Sequence, residues 1–268
     1  MPIFKTKTAC YYYEKKGNGE PVIFAHGLFV NHSIFDFQIN KLKSDYTCYS
    51  FDLPGHGRSS YNPEGWTLEN IAEDFKQFID DNELYNPTLV GLSQGGMIFL
   101  RLAVKYPEIV GRLVLVGCSH LAEFPERISL WNDRINIFQK GNRSEIASMI
   151  SEVQRAIVST KFLENQSELS ERELRVMQSN IPEAMVLATK AAVIDRKNVT
   201  GLSRISCPTL IVCGTDDHAT PKDIAEQMLN GIEKSCLTMI PRAGHHVPIE
   251  ASNEFYNILN QFLNNNKL

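Results

Sequence analysis

The amino-acid sequence predicts an α/β fold: a mostly parallel central sheet flanked by helices, with a helical lid inserted before the last part of the sheet. Three observations carry this expectation. Apolar runs of strand type alternate with helical patterns over residues 21–117 and again over 207–263. A charged, helix-prone block without strand patterns, residues 119–204, separates the two stretches. Gly91-Leu92-Ser93-Gln94-Gly95 stands where one strand must turn directly into a helix. The expected organisation is a core made of residues 1–118 and 205–268, with the lid at 119–204.

The elements follow in order. Residues 3–16, with Tyr11-Tyr12-Tyr13, suggest a β-hairpin at the sheet edge, closed by the turn Gly17-Asn18-Gly19. Pro21–Ala25 reads as a buried strand ending at His26-Gly27-Leu28-Phe29, and Thr47–Phe51 as a strand running into Asp52–Ser59. Between them, residues 34–43 are predicted helical. Leu68, Ile71, Ala72, Phe75, Phe78 and Ile79 recur at helical spacing, with Thr67 placed to cap the start and Glu69 close behind. After the strand Thr88–Val90 and the helix from Gln94, residues 112–117 form a further strand. Gly141-Asn142, the Asn165–Ser170 region and Ile181-Pro182 are expected stops within the lid. Cys207–Gly214 and Ser235–Ile240 complete the strands, with helices at Pro221–Asn230 and Ser252–Leu263.

Composition narrows the possible functions. The 268 residues, 43% hydrophobic, suffice for one large core. A net charge of -4, without any Lys/Arg cluster, argues against a nucleic-acid partner. No apolar run approaches the length of a membrane span, and Met1-Pro2-Ile3-Phe4-Lys5 does not resemble a signal peptide. The expectation is a soluble, cytoplasmic protein, monomeric or homodimeric. Cys10, Cys48, Cys118, Cys207, Cys213 and Cys236 lack C-x-x-C spacing and read as free thiols, most of them buried, in a reducing compartment.

The Gly-x-Ser-x-Gly turn carries the chemistry. Gly91 and Gly95 let strand and helix approach closely, and Ser93 at the apex is held out at the end of the sheet. The helix that begins there points unpaired N–H groups and its positive dipole end at any negative charge forming on a substrate. The N–H of Gln94 is placed to bond such an oxyanion. The plainer alternative is a helix-capping serine. A nucleophilic serine needs an acid and a base, and ligands gather beyond the C-terminal ends of parallel strands. Gly214-Thr215-Asp216-Asp217 supplies two carboxylates there, although Asp216 reads more simply as a cap for the helix starting at Pro221. His245 and His246 follow the last strand. His26 and His56 read as loop-holding residues. His32, His120 and His218 show no local pattern, though His120 enters the lid and could border the pocket.

His26-Gly27, Asp52–Ser59, Gly91–Gly96, Gly214–Asp217 with Thr220-Pro221, and Gly244-His245 with Glu250 together resemble the successive signatures of the α/β-hydrolase fold superfamily. The resemblance covers essentially the whole chain. It implies Asp217, three residues after Gly214 and four before Pro221, as the triad acid. His245, which directly follows a glycine and precedes Glu250 by five, is implied as the base. Leu28, after His26-Gly27, is implied as the second oxyanion donor beside Gln94. Met185–Thr200 and the approach through Ile205 and Pro208 are also similar to 3-oxoadipate enol-lactonase-like hydrolases. The segment His26-Gly27-Leu28-Phe29 departs from that subfamily, and the lid sequence gives no sign of an arginine-rich pocket.

The implied activity is that of a serine esterase acting on a small-molecule ester or lactone, with neither metal nor organic cofactor. A C–C bond hydrolase using the same triad and a slow-turnover ligand-sensing receptor are the alternatives. In the lid, Trp131 and other apolar residues are expected to roof a pocket over Ser93, together with Phe29 and His120.

Overall fold

The computed structural model describes residues 3–165 and 167–264. Eight strands form one sheet: β1 (Ile3–Lys5), β2 (Cys10–Lys16), β3 (Glu20–Ala25), β4 (Tyr46–Phe51), β5 (Thr88–Leu92), β6 (Arg112–Val116), β7 (Thr209–Gly214) and β8 (Ser235–Ile240), in the order β1-β2-β4-β3-β5-β6-β7-β8. β1 and β2 pair antiparallel, as do β2 and β4, and every later pairing is parallel. The predicted mostly parallel α/β architecture is therefore present. Strands β5 to β7 are buried along almost their whole length. Their near-continuous apolar sequences follow, because parallel strands are covered on both faces.

The helices of the sheet layers are α1 (Asp36–Leu42), α2 (Leu68–Asp81) and α3 (Gln94–Lys105). The single helix predicted over 34–43 is instead a 3-10 turn, His32–Phe35, capped by Asn31, and then α1. Thr67 caps α2 through a reciprocal box with Asn70. Glu69 bonds Arg101 of α3 instead (2.7 Å).

Between β6 and β7 lie α4 (Pro125–Lys140), α5 (Arg143–Ile157), α6 (Thr160–Asn165), α7 (Ser167–Gln178) and α8 (Pro182–Thr189), with no strand among the described residues. The stops at Gly141-Asn142 and Ile181-Pro182 fall where expected, whereas in the Asn165–Ser170 region α6 ends at Asn165 but α7 already runs from Ser167, with residue 166 outside the described residues. Gly141 takes the left-handed conformation (φ 69°), Asn142 caps α5, and Pro182 opens α8. The chain closes with α9 (Lys222–Gly231), the short α10 (Val247–Glu250) and α11 (Ser252–Asn264). All six cysteines are free, four of them buried. Among the described residues no helix is long and apolar enough to cross a membrane.

Candidate active site

β5 ends at Leu92 and α3 begins at Gln94, so the whole reversal falls on Ser93. Its backbone is left-handed, at φ 49° and ψ -112°, which costs a residue with a Cβ on the order of 1–3 kcal/mol. Surrounding bonds hold it there. The Ser93 N–H donates to the Val116 carbonyl (2.8 Å), and the Gly95 N–H donates to the carbonyl of His26 (3.0 Å). The glycines are required by space. A Cβ on Gly91 would lie 2.3 Å from the Gly96 nitrogen, and one on Gly95 only 2.1 Å from the Ala25 oxygen.

At the ends of β7 and β8 the structure brings Asp217 and His245 together. Oδ2 of Asp217 lies 2.9 Å from Nδ1 of His245 and also accepts from the Thr220 hydroxyl (2.8 Å). Its Oδ1 accepts the N–H groups of Ala219 and Thr220, both at 2.9 Å. Burial alone would raise this carboxyl, but the His245 charge and these hydrogen bonds hold it below its ordinary value. Asp217 therefore stays ionised. Asp216, one residue earlier, is less buried and its side chain bonds the Thr215 hydroxyl. The His245 loop is anchored by Glu250, whose carboxylate accepts the N–H groups of Gly244, His246 and Ser159, each at 2.8 Å. Since Ser159 lies between α5 and α6, one carboxylate ties this loop to the helical insertion.

His246 turns away from that pair and bonds Glu173 of α7, both side chains being buried. Burial would lower the imidazole, but Glu173 outweighs it and raises His246 above its ordinary value. The segment containing Leu28 is held by His26 and His56. The Leu53 N–H donates to Nε2 of His26 (2.9 Å), and the Phe29 N–H donates to Nε2 of His56 (3.2 Å). Both Nε2 atoms must be unprotonated to accept these bonds. Burial agrees, pushing His26 down to about 3 and His56 to about 4. Two neutral histidines thus shape the loop beside Ser93.

Ser93, His245, Leu28 and Gln94 all line one cavity of about 300 Å³. A family model for the alpha/beta hydrolase fold matches residues 20–252. The chain belongs to the α/β-hydrolase fold family. It is 28% identical to the AB hydrolase superfamily protein YisY of Bacillus subtilis, over 94% of this chain and 95% of that one. It is 25% identical to 3-oxoadipate enol-lactonase 1 of Acinetobacter baylyi, over 92% of this chain and 89% of that one. Among solved structures, a thermophilic esterase from Thermogutta terrifontis superposes with a TM-score of 0.88 at 25% identity, covering 98% of each chain.

For this α/β hydrolase the rest of the cavity wall departs from the sequence reading in three ways. Phe29 and Trp131 line it, their rings stacked with centroids 6.4 Å apart. His120 is not among the lining residues. It sits at the entry to the helical insertion, where its carbonyl accepts the Val199 N–H (2.6 Å). His218, which had no local pattern, does line the cavity. Although an arginine-rich pocket is not evident in the lid sequence, Arg127, Arg134 and Arg196 all reach the wall. A signal for two of them exists in the sequence. Arg127, Leu130, Trp131 and Arg134 fall at i, i+3, i+4 and i+7 on α4, and this one face looks into the cavity.

Proposed function

We propose that this protein is a serine hydrolase that cleaves a small-molecule carboxylic ester or lactone through an acyl-enzyme intermediate. The observation that carries the reading is the hydrogen-bonded pair Asp217–His245 opening onto the same cavity as the strained Ser93. In this mechanism His245 takes the Ser93 proton as the serine oxygen attacks the carbonyl carbon. Asp217 keeps the imidazole proton on Nδ1 and stabilises the imidazolium that forms. The N–H groups of Leu28 and Gln94 stabilise the tetrahedral oxyanion, and losing one such donor costs about 3 kcal/mol. His245 then protonates the leaving alcohol and activates the water that releases the acid.

The helices of residues 119–204 act as the lid that shields this step from bulk water. Relatives named as an esterase and an enol-lactonase support ester or lactone cleavage as the reaction class. The test is a panel of 4-nitrophenyl esters of graded chain length, with lactones, assayed beside Ser93→Ala. Turnover lost in Ser93→Ala, with a trapped acyl group on Ser93 of the unaltered protein, is the expected result. Undiminished turnover in Ser93→Ala would remove the serine mechanism.

A further inference from the structure

The cavity wall is positive in a protein that is not. The chain's net charge is -4, yet the cavity is lined by three arginines against a single carboxylate side chain, Glu123. The three guanidinium groups are differently committed. Arg127 donates to the carbonyls of Ala219 (3.1 Å) and His218 (3.2 Å) and lies 3.9 Å from Glu123, so its donors are largely used.

Arg196 is buried, with its side chain 6% exposed, but under-bonded. Nη1 donates to the Ala192 carbonyl (3.2 Å) and reaches only the weak acceptor Met97 Sδ (3.1 Å). Nη2 stands 3.6 Å from Glu123, close enough for charge attraction but beyond a hydrogen bond, and Nε has no partner. Arg134 stands over the Trp131 ring at 4.4 Å, with Glu152 near enough to act on its charge. A buried guanidinium with idle N–H groups is expensive to maintain. Arg134, on the cavity wall, offers a planar fork that matches a carboxylate, and Arg196 adds charge beside it. Stacking on Trp131 holds the Arg134 plane in place before any ligand arrives.

We propose that the substrate carries a carboxylate besides its scissile bond, and that Arg134 and Arg196 hold this carboxylate while Ser93 attacks the ester or lactone. This rests on the serine-hydrolase reading above and narrows its substrate class to acidic esters or lactones. Glu123 offsets part of the Arg196 charge, so Arg134 supplies both the directed donors and most of the net attraction, with Arg196 adding to the positive field. Low-dielectric walls such as Phe29 and Val153 strengthen both.

The experiment compares 4-nitrophenyl hydrogen glutarate with its neutral methyl ester, 4-nitrophenyl methyl glutarate. The acid should have the higher kcat/KM by about tenfold or more, a preference that shrinks as salt is added. Arg134→Gln should remove most of that preference, and Arg134→Lys should restore part of it by returning charge without the fork. Arg196→Lys should weaken it as well. Arg134 is only half-buried, so its variants test the proposal even if Arg196 variants fold poorly.

Equal kcat/KM for the two esters, or a preference unchanged in Arg134→Gln, would overturn the carboxylate site and leave the esterase reading standing. If neither ester is cleaved, the esterase reading falls and calorimetry of glutarate with Ser93→Ala decides the site separately. Binding weakened about tenfold by adding Arg134→Gln supports it. Absent binding, or tighter binding of propyl phosphate than of glutarate, overturns it.

Discussion

The imidazole of His246 is paired with the carboxylate of Glu173, and neither group reaches solvent. Two adjacent histidines therefore have separate partners, His245 facing Asp217 and His246 facing α7. Glu173 is further held by the Gln154 amide (2.8 Å), so the pair belongs to a small polar network under the helical insertion.

This separation predicts different losses. His245→Ala should lower kcat/KM for a 4-nitrophenyl ester by at least about 10⁴-fold with little change in melting temperature. His246→Ala should keep a large part of the activity per folded molecule but lose about 3 kcal/mol of stability, because Glu173 is left buried without its partner. Urea denaturation and steady-state kinetics on both variants check this. Equal kinetic losses would refute the assignment of the base.

The acid is tested by Asp217→Asn against Asp216→Asn. Asparagine at 217 can still accept from Ala219 and Thr220 through its oxygen, but it turns an amide toward Nδ1 of His245 and favours the wrong tautomer. A loss on the order of 10⁴ in kcat is expected, as for the triad aspartate of a serine protease. Asp216→Asn should stay within about threefold, since its side chain only meets Thr215. A crippled Asp216→Asn would show that the loop register is wrong.

Acid should destabilise the protein through His26 and His56. Both have folded-state values near 3 and 4, below the ordinary 6.5, so the unfolded chain takes up protons first as pH falls. Each contributes stability that is complete above pH 6.5 and declines by about 1.4 kcal/mol per unit below it, until the folded value is reached. His246 and His32 are shifted upward and act in the opposite sense. Their contribution is complete below 6.5 and lost as pH rises through their folded values. The difference in urea stability between the unaltered protein and His56→Gln should therefore change between pH 6.5 and 4.5 with the slope of one histidine. A pH-independent difference would contradict the neutral assignment of His56.

The cavity size sets a limit on the acyl group. At about 300 Å³ it lies at the small end for enzyme pockets. Rates on 4-nitrophenyl esters should fall steeply beyond short acyl chains, and Trp131→Ala should flatten that profile more than it lowers the melting temperature. In a Trp66→Phe background the Trp131 fluorescence should change on saturation with a short-chain acid. A flat chain-length profile, with Trp131→Ala altering only stability, would assign Trp131 to packing alone.

Much of this molecule was legible in the chain because its causes are local. Strand–helix alternation reports burial on both faces of a parallel sheet. The Gly-x-Ser-x-Gly turn reports a backbone reversal that only glycines can flank, and Gly91 and Gly95 sit where any Cβ would collide with backbone. The choice of Asp217 over Asp216 and of His245 over His246 comes from the resemblance to the α/β-hydrolase signatures, since the residues alone leave both pairs open. Sequence therefore determined the fold class, the elbow and the candidates around it.

Contacts between distant segments were decided only by the tertiary structure. Nothing near His246 in the chain announces Glu173, which lies 73 residues away. The i, i+3, i+4, i+7 spacing puts Arg127 and Arg134 on one face of α4 with Leu130 and Trp131, but nothing local says that this face meets a cavity rather than water, or that Arg196 joins the same wall. A charge on an amphipathic helix has the same local sequence whether its face meets water or a pocket. Packing of α4 over Ser93, a matter of long-range burial rather than of local backbone preference, determines which of the two it meets.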